Sequence, residues 1–592
     1  MMQIDNYITI SPAKNGFSLS YNGKVLLSAF DPVKQAERAA DCALPLQNRT
    51  LYLIPAPLFG YGVKTIVDAL PEDSAVLCIE ADKNLCQWTK NNFDKSILID
   101  TAAAAANDNV DNVDNIENIN SIENIDTTSH KKLKLIYTCD PLEVCDFVRK
   151  TWGQCCFRRV ISVKLNAAWQ VAAKIYEQIE ATLQKSIAID WSNAATLSKL
   201  GRLYARNAVK NLKLLYTAGN INKIDLSGKN VLVFGAGPSL DDALNKLSGV
   251  IKKVIKKGFP SQFVICVDTA LGALVDRGIR PDLVVILEAQ HWNLRDFIGW
   301  KGMCCAKGIP AAMDISSLPR SAGILESDTY IFWTEWTQLR FLDRLKNAAL
   351  LPLELPALGS VGLSAVMLAC KLNAKKILAA GLDFSFTIDK YHCKGSPSYR
   401  SALNTANRLK SPLCPPEAMR AGSFNCLSKS GLPVRSDPAL RNYQKLFAET
   451  FGKGNCNYKS QIFDIEGSGM DLGLQTLSYA QAITFLNESG TSTASQVLNS
   501  NTEELDVIQK RKAAVEMIIE QEKNNLSELL NILQGNKAPD NLDHLLEECD
   551  YLWAHFPDCA GRAGKRPPST DIAFLKRVRA EIEPFSALFN IT

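Results

Sequence analysis

The sequence predicts an α/β protein of three domains. A Rossmann-like N-terminal domain is expected at residues 1–190, a central parallel-sheet α/β domain at 191–490, and a helical C-terminal domain at 491–592. In the central region short apolar runs alternate with helical stretches, as in a parallel sheet covered by helices. Beyond residue 500, apolar residues recur at helical spacing between charged residues. A shorter strand and helix alternation opens the chain.

The N-terminal domain is predicted from one β-loop-α-β unit. Strand Leu51–Pro55 leads into Gly60-Tyr61-Gly62 and a helix, and a second strand ends at Glu80. Glycines after one strand and an acidic residue about 18 positions later suit a ribose contact. This spacing keeps a methyltransferase open as an alternative, although a nucleotide fold used for acceptor binding fits the crowding by Pro55 and Pro57 better.

A low-complexity insertion is predicted at residues 102–130. From Asn109 the chain reads as six triplets, NVD-NVD-NIE-NIN-SIE-NID. A period of three matches neither a helix nor a strand. We therefore expect a disordered surface loop, with no bearing on function.

Composition excludes several classes of protein. The 592 residues include 66 basic and 62 acidic side chains, which does not predict a nucleic-acid binder. The 17 cysteines form no C-x-x-C, so we expect reduced thiols and no zinc site. The N-terminus does not resemble a signal peptide, and no apolar stretch reaches the roughly 20 residues of a membrane span. The prediction is a cytoplasmic protein.

The stretch VLVFGAGPSLDDAL is the most informative motif. A strand ends at Phe234, Gly235 and Gly237 occupy the turn, and Ser239 is placed to cap the helix that follows. Backbone N–H groups in such a turn, together with the helix dipole, favour a phosphate. The motif is neither a Rossmann fingerprint nor a Walker loop, because Leu240 replaces the third glycine and no G-K-[ST] follows.

Polar residues follow the next two predicted strands. Asp268 and Thr269 end one, and Glu288 and Gln290 end the other. Open α/β sheets bind ligands at the carboxyl ends of their strands, where an Asp or Thr often contacts a ribose or base. Capping of the following helix is the alternative role for these side chains.

A second glycine cluster lies between residues 358 and 392. Gly359 and Ser360 precede a predicted helix and again offer donors at its N-terminus. The following strand ends at Asp383, and Tyr391 and His392 lie just beyond it. A histidine can accept a proton from a hydroxyl near neutral pH, although an exposed loop histidine is the plainer interpretation.

Together these segments resemble the motility-associated factor (Maf) family of flagellin glycosyltransferases, which carry an MptE-like domain of hydroxymethylpterin pyrophosphokinases. The resemblance spans most of the chain. It rests on FDPVKQAER, Arg206-Asn207, Asn211, GAGPSL, VDTALGALVDRGIRPDLVV, GSVGLSA and GLDFSFTIDKYH. The family usually has Gln-Asp-Leu in place of Leu382-Asp383-Phe384, and Asp in place of Glu288.

The chain also has a distant likeness to bacterial sialyltransferases that use CMP-sialic acid. Those enzymes show a G-N-G-P-S turn, similar to Gly235–Ser239 here with Ala236 in place of Asn, and a Gly-Ile-Asp-Phe-Tyr segment similar to Gly381–Phe384. The likeness makes the central domain sialyltransferase-like. The Maf resemblance implies a transferase with a CMP-nonulosonic acid as donor and Ser or Thr of flagellin as acceptor, and the sialyltransferase likeness implies that it needs neither a metal nor a cofactor.

The resemblance also assigns roles to residues. Tyr391 would bond the leaving phosphate oxygen and His392 would act as the base. The nucleotide sugar would contact Gly235, Gly237, Pro238, Ser239, Asp268, Thr269, Glu288, Gln290, Gly359, Ser360 and Asp383. Two other functions stay open: a pterin pyrophosphokinase, which would need carboxylates holding Mg²⁺, and a flagellin-binding module without chemistry. Asp241 and Asp242 are expected on the helix surface.

Overall fold

The computed structural model describes most of the chain in two compact units. The described residues are 2–5, 7–98, 132–153, 155–256, 262–298, 308–335, 339–411, 416–452, 458–488, 505–560 and 566–591. One unit comprises Met1–Ser198 with Phe556–Lys565, and the other comprises Lys199–His555 with Arg566–Thr592. The predicted insertion at 102–130 lies outside the described residues, and the three-domain division stays a prediction.

The first unit contains a four-stranded parallel sheet in the order β7-β6-β5-β8 and a four-stranded antiparallel sheet in the order β1-β2-β3-β4. Every residue of β5 and β6 is buried, as their apolar sequences require. The strands are β1 (Met2–Asp5), β2 (Ile8–Pro12), β3 (Phe17–Tyr21), β4 (Lys24–Val25), β5 (Thr50–Pro55), β6 (Ala75–Glu80), β7 (Leu133–Tyr137) and β8 (Arg159–Ser162). The helices are α1 (Pro32–Asp41), α2 (Val63–Asp68), α3 (Lys83–Asn92), α4 (Pro141–Thr151) and α5 (Ala173–Thr196).

The second unit is built on a nine-stranded parallel sheet. Its order is β14-β13-β12-β11-β10-β9-β15-β18-β19. The strands are β9 (Asn230–Phe234), β10 (Gln262–Val267), β11 (Leu283–Ile286), β12 (Ala311–Asp314), β13 (Thr329–Glu335), β14 (Glu354–Pro356), β15 (Lys376–Ala380), β18 (Gln461–Ile465) and β19 (Gln475–Leu477). A separate hairpin pairs β16 (Phe424–Leu427) with β17 (Pro433–Ser436).

Helices pack around this sheet and along the C-terminal part of the chain. They are α6 (Arg202–Asn211), α7 (Leu240–Lys256), α8 (Leu271–Asp276), α9 (Leu294–Ile298), α10 (Arg320–Ile324), α11 (Arg340–Asn347), α12 (Val361–Lys371), α13 (Pro397–Asn404), α14 (Pro438–Phe451), α15 (Tyr479–Asn487), α16 (Leu505–Leu533), α17 (Leu542–Glu548) and α18 (Ile572–Ile591). The mixed α/β class expected from the sequence is confirmed, with parallel sheets in both units.

The C-terminal helices attach to the sheet unit through a buried polar cluster. The Arg344 guanidinium on α11 pairs with the fully buried Glu522 of α16 and with Glu548 of α17. Tyr551 donates its hydroxyl to Glu522 at 3.0 Å. Partnered charges of this kind hold a buried interface together, because removing one partner leaves the other uncompensated.

Three absences concern only the residues that the structure describes. Their cysteines are free thiols. In the same ranges, none of the helices combines the length and the apolar character that a membrane crossing requires. Their His, Cys, Asp and Glu side chains form no group of three that could hold a metal ion.

Candidate functional site

The predicted glycine turn lies at the point where the strand order of the large sheet reverses. From β9 the chain proceeds through β10 to β14 on one side, and then returns to place β15 on the other side. At such a switch point, open α/β sheets bind ligands beyond the carboxyl ends of their strands, here β9 and β15. Phe234 pairs with Ala380, so the segments that follow these two residues face each other.

The glycines allow these two segments to touch. A Cβ on Gly235 would lie 2.5 Å from the Gly381 carbonyl oxygen, and a Cβ on Gly237 would lie 2.6 Å from Cγ of Asp383. Gly381 has a φ of +71°, and its own Cβ would lie 2.5 Å from the Gly235 oxygen. The G-x-G pattern thus serves a close approach of two backbones, a role the sequence analysis had not assigned to it.

Hydrogen bonds within the chain occupy the amides of the turn. Gly235 N–H donates to Ala380 O and Gly237 N–H donates to Gly381 O, both at 2.8 Å. Ser239 N–H donates to Asp383 Oδ2 at 2.7 Å. These three amides were expected to face a phosphate, and in this arrangement they face the β15 segment instead, because Asp383 and the 380–381 carbonyls reach them first.

Asp383 is a buried carboxylate that ties the two segments together. The Ser239 hydroxyl, expected to cap α7, donates to Asp383 Oδ1. Burial raises the pKa of Asp383, while the Ser239 hydrogen bonds and the nearby Lys429 and Lys390 lower it. Asp383 therefore holds the turn in place, and both of its carboxylate oxygens already accept hydrogen bonds from Ser239.

The Gly359-Ser360 segment begins α12, close to the segment that follows β15. Ser360 is the N-cap of α12 and makes no side-chain capping hydrogen bond. A Cβ on Gly362 would lie 2.6 Å from Leu382 Cδ2, so the first turn of α12 packs beside the β15 segment. Tyr443 covers Gly359, whose Cβ would lie 2.7 Å from Cε1 of its ring. The dipole and first-turn amides of α12 would favour an anionic group at this helix start.

His392 lies directly over the glycine turn. Its Nδ1 is 3.2 Å from the carbonyl oxygen of Ala236, and Cys393 N–H donates to the same oxygen at 3.0 Å. The Tyr391 ring packs on Phe386, with a centroid distance of 4.8 Å. The structure thus brings His392 to the turn, with the Tyr391 ring beside it at a centroid distance of 4.9 Å.

Asp241 fixes the loop that carries His392. It is buried, and it accepts from Lys394 N–H at 3.0 Å. It also pairs with Lys390 at 3.0 Å and with Arg277 at 3.1 Å. The expectation that Asp241 is a surface residue is wrong, because the loop after β15 folds over the start of α7. Asp242 is exposed, as expected.

Asp268 and Glu288 hold their own loops. Asp268 is buried and accepts from Thr269 N–H at 2.8 Å and from Asn293 Nδ2 at 2.7 Å. Glu288 accepts from Gln290 N–H at 2.8 Å. Burial raises the pKa of Asp268 to about 6, and burial together with Asp268 raises the pKa of Asp296 to about 8. The Asn293 amide joins Asp268 to Asp296, since its Nδ2 also donates to Asp296 Oδ2 at 3.1 Å.

Gln290 opens onto a cavity of about 560 Å³. Its walls are largely apolar, which suits a hydrophobic group better than a nucleotide. The lining residues are Leu200, Leu203, Asn207, Lys210, Ala289, Gln290, His291, Leu318, Pro319, Arg320, Leu588 and Ile591.

Two asparagines of α6 position the loops at this edge. Asn207 Nδ2 donates to Ala289 O and Ser316 O, both at 3.0 Å. Asn211 Nδ2 donates to Ile315 O at 2.7 Å and Ser317 O at 2.8 Å. Both side chains are buried, so their role is to fix the ends of β11 and β12.

Sequence reasoning missed a buried ion pair beside Asp383. Lys429, in the turn of the β16–β17 hairpin, bonds Asp464 of β18 at 2.5 Å. Burial raises the pKa of Asp464 to about 6 against the opposing effect of Lys429. Lys429 lies 46 positions and Asp464 lies 81 positions beyond Asp383 in the sequence, and β18 carries no motif that would have pointed to them.

In the first unit, Glu80 does not project into a ribose site. It is buried, and it accepts from Tyr176 Oη at 3.2 Å and from Asp82 N–H at 3.1 Å. Burial raises its pKa to about 7. Glu80 is therefore a buried structural residue, and the glycine-to-acid spacing that suggested a methyltransferase reflects this structural role.

The sequence and the fold of this chain are similar to those of known proteins. Residues 204–389 match the family model described as 6-hydroxymethylpterin diphosphokinase MptE-like. An uncharacterized protein of Treponema pallidum (strain Nichols) is 27% identical over 98% of this chain and 94% of its own length. The structure of a Maf glycosyltransferase from Magnetospirillum magneticum AMB-1 is similar at a TM-score of 0.53 and 13% identity, over 99% of this chain and 92% of that one. The resemblance to a Maf and MptE-like protein expected from the sequence is confirmed.

Proposed function

We propose that this chain is a cytoplasmic glycosyltransferase that moves a nonulosonic acid, of pseudaminic or legionaminic type, from a CMP-sugar to Ser or Thr of flagellin. The observation that supports it best is the position of His392 over the Gly235–Ser239 turn, at the switch point of the sheet. The fold shared with a Maf glycosyltransferase agrees with this proposal.

In this proposal the donor phosphate binds at the start of α12, beside the glycine turn. The amides of Gly235, Gly237 and Ser239 are engaged within the chain, whereas no side chain caps α12 at Ser360. A helix N-terminus stabilises a phosphate through its amides and dipole. Pro238, Thr269, Glu288 and Gln290 complete the proposed nucleotide-sugar surface, with Asp268 and Asp383 holding it in shape.

The proposed reaction is a direct displacement at the anomeric carbon. The acceptor oxygen forms a bond to that carbon as the bond to the phosphate oxygen breaks, and CMP leaves with the bonding electrons. Tyr391 donates a hydrogen bond to the departing phosphate oxygen. His392 accepts the proton of the acceptor hydroxyl, so that charge does not accumulate on the incoming oxygen.

The contact with Ala236 suits His392 to this role. A carbonyl oxygen at 3.2 Å from Nδ1 favours the tautomer that carries its proton on Nδ1. Nε2 is then the basic nitrogen. The same contact holds the ring against the turn, so that the base is already positioned and less conformational entropy is lost when the acceptor binds.

The test is transfer by the His392→Ala variant, followed by intact mass of purified flagellin with a CMP-nonulosonic acid. We expect the rate to fall by about 10²–10⁴-fold while CMP binding is retained. His544→Ala is the control, because His544 is exposed on α17, far along the chain from the turn. Near-normal transfer by His392→Ala would reject this base.

A pterin pyrophosphokinase is the second candidate, and the description of the matched family model favours it. Diphosphate transfer would need carboxylates that hold Mg²⁺ beside the phosphates. Asp241, next to the turn, is instead neutralised by Arg277 and Lys390. Magnesium-dependent binding of ATP or GTP would favour this candidate over the transferase.

A further inference from the structure

The cavity beside Gln290, which we name the α6–α18 cavity, is walled by four elements of the second unit. The helix α6 contributes Leu203, Asn207 and Lys210, whose i, i+4 and i+7 spacing places them on one helical face. The helix α18 contributes its last residue, Ile591, and the loops after β11 and β12 supply much of the remaining wall. The volume of about 560 Å³ is typical of a pocket that encloses a single small molecule.

Hydrogen bonds hold these walls together. Asn207 Nδ2 donates to Ala289 O and Ser316 O, both at 3.0 Å, so the loops after β11 and β12 are tied to α6. Lys213 Nζ donates to the backbone oxygen of Ile591 at 2.8 Å, which ties the end of α18 to the turn that follows α6. The cavity is therefore a preformed feature of the fold.

Most of the lining is apolar. Of the twelve lining residues, seven are Leu, Ile, Ala or Pro, and none is acidic. Ile591 is 76% exposed, although its side chain is large and apolar. Covering such a side chain with the apolar part of a ligand removes apolar surface from water and is favourable. The cavity therefore suits a ligand with an apolar body.

The same lining carries two cations, Lys210 and Arg320, and both are exposed. In the ranges that the structure describes, no carboxylate forms an ion pair with either of them. The Glu288 carboxylate, in the adjoining loop after β11, accepts from Gln290 N–H at 2.8 Å instead. An apolar wall with an uncompensated positive charge selects a ligand that is both apolar and anionic.

We propose that the α6–α18 cavity is a second ligand site, and that it binds a single-chain amphipathic anion such as a long-chain carboxylate. The apolar chain lies against the leucines and Ile591, and the anionic group faces Lys210 and Arg320. A nucleotide sugar would satisfy only the cations, and an uncharged lipid only the apolar wall. Gln290 belongs to this lining and to the proposed nucleotide-sugar surface, so the two sites adjoin. This site goes beyond the proposed function, because it requires no sugar transfer.

Isothermal titration calorimetry of the full chain with monomeric dodecanoate tests the proposal. We expect saturable binding of one dodecanoate, and binding of decanoate that is about 15-fold weaker, because each buried methylene contributes about fourfold in affinity. Dodecyltrimethylammonium has the same chain with the opposite charge, and acetate has the charge without the chain, so both should bind at least about tenfold more weakly. Equal binding of the cationic probe would overturn the proposal, as would binding to phosphatidylglycerol vesicles with none of monomeric dodecanoate.

A matched pair of charge reversals locates the anionic group. Lys210→Glu/Arg320→Glu should weaken dodecanoate binding by about tenfold or more. Lys371→Glu/Lys375→Glu reverses two exposed lysines beside the start of β15, at the opposite edge of the sheet, and should leave the affinity unchanged. An equal loss in both variants would refute the assignment of the two cations.

A second matched pair locates the apolar chain on α18. Ile591→Asp should also weaken dodecanoate binding by about tenfold or more, because it removes apolar wall and adds a negative charge. Ile572→Asp changes a residue that is 70% exposed at the first position of the same helix, about 28 Å away along its axis, and should have no effect. Unchanged binding by Ile591→Asp would reject this site. Thermal stabilisation by CMP, measured in the same variants, tests the nucleotide-sugar site separately.

Discussion

Gly237→Ala gives the sharpest test of how the candidate site is held together. The new Cβ would lie 2.6 Å from Asp383 Cγ and 2.7 Å from the Gly381 carbonyl oxygen. Real Cβ atoms do not approach that closely, so the Asp383 carboxylate must move and weaken its bond to Ser239 N–H. Overpacking costs about 1–3 kcal/mol, and a hydrogen bond to a charged group contributes about 1.5–3 kcal/mol. We expect a loss of roughly 2.5–6 kcal/mol in the free energy of unfolding if both effects act in full.

Gly249→Ala is the matched control, in the helix α7 that follows the turn. Gly249 lies within α7 and is exposed, and a Cβ there meets nothing within 4 Å. Alanine should stabilise that helix by about 0.5–1 kcal/mol. Urea unfolding of both variants, with CMP affinity measured in parallel, checks the sign of each effect. A Gly237→Ala variant as stable as the wild type would refute the close packing of the two segments.

Three further substitutions test other parts of the account. In the wild type, Glu80 binds a proton more tightly in the folded state, so the stability of the first unit should fall by about 3 kcal/mol as the pH rises from 4.5 to about 7. Glu80→Gln should abolish this fall, as measured by urea unfolding across that pH range. Glu522→Gln should cost about 1.5–3 kcal/mol on thermal unfolding, because Arg344 loses one charge-assisted hydrogen bond and keeps its pair with Glu548; no change would contradict this. Asn207→Ala should cost about 1–3 kcal/mol for each carbonyl left unbonded, with hydrogen exchange rising at residues 289 and 316.

The elements that the sequence predicted well are those with strong periodicity and a clear boundary. The predicted strand Leu51–Pro55 lies within β5, and the second strand ends at Glu80 as expected. The strand before Gly235 ends at Phe234 as expected, because the glycine turn terminates it. The strands β18 and β19 were not predicted, since neither is a continuous apolar run: Asp464 lies within β18, and β19 begins with Gln475 and Thr476. They join the sheet through the pairing of β18 with β15 and of β19 with β18.

The location of the candidate site could be predicted, but its internal bonding could not. The order of strands and motifs placed Gly235, Asp383 and His392 at one edge of the sheet. Whether an amide in the turn faces a ligand or another segment depends on tertiary contacts, and the register between β9 and β15 decided it. Asp241 and Lys429 become site residues only through the fold of the loop and hairpin after β15.

The proposed CMP-sugar site lies beside the Gly235–Ser239 turn, at the start of α12. Thermal unfolding with CMP, GTP, ATP and S-adenosylmethionine, each in turn, tests this site most directly. A ligand at about 100 times its dissociation constant stabilises a fold by roughly 2.7 kcal/mol. We predict stabilisation by CMP alone, reduced in a Ser360→Ala variant, because the Ser360 hydroxyl makes no capping hydrogen bond to α12. Stabilisation by GTP or ATP with Mg²⁺, or by S-adenosylmethionine, would contradict the claim, and silence from all four ligands would favour a flagellin-binding module without chemistry.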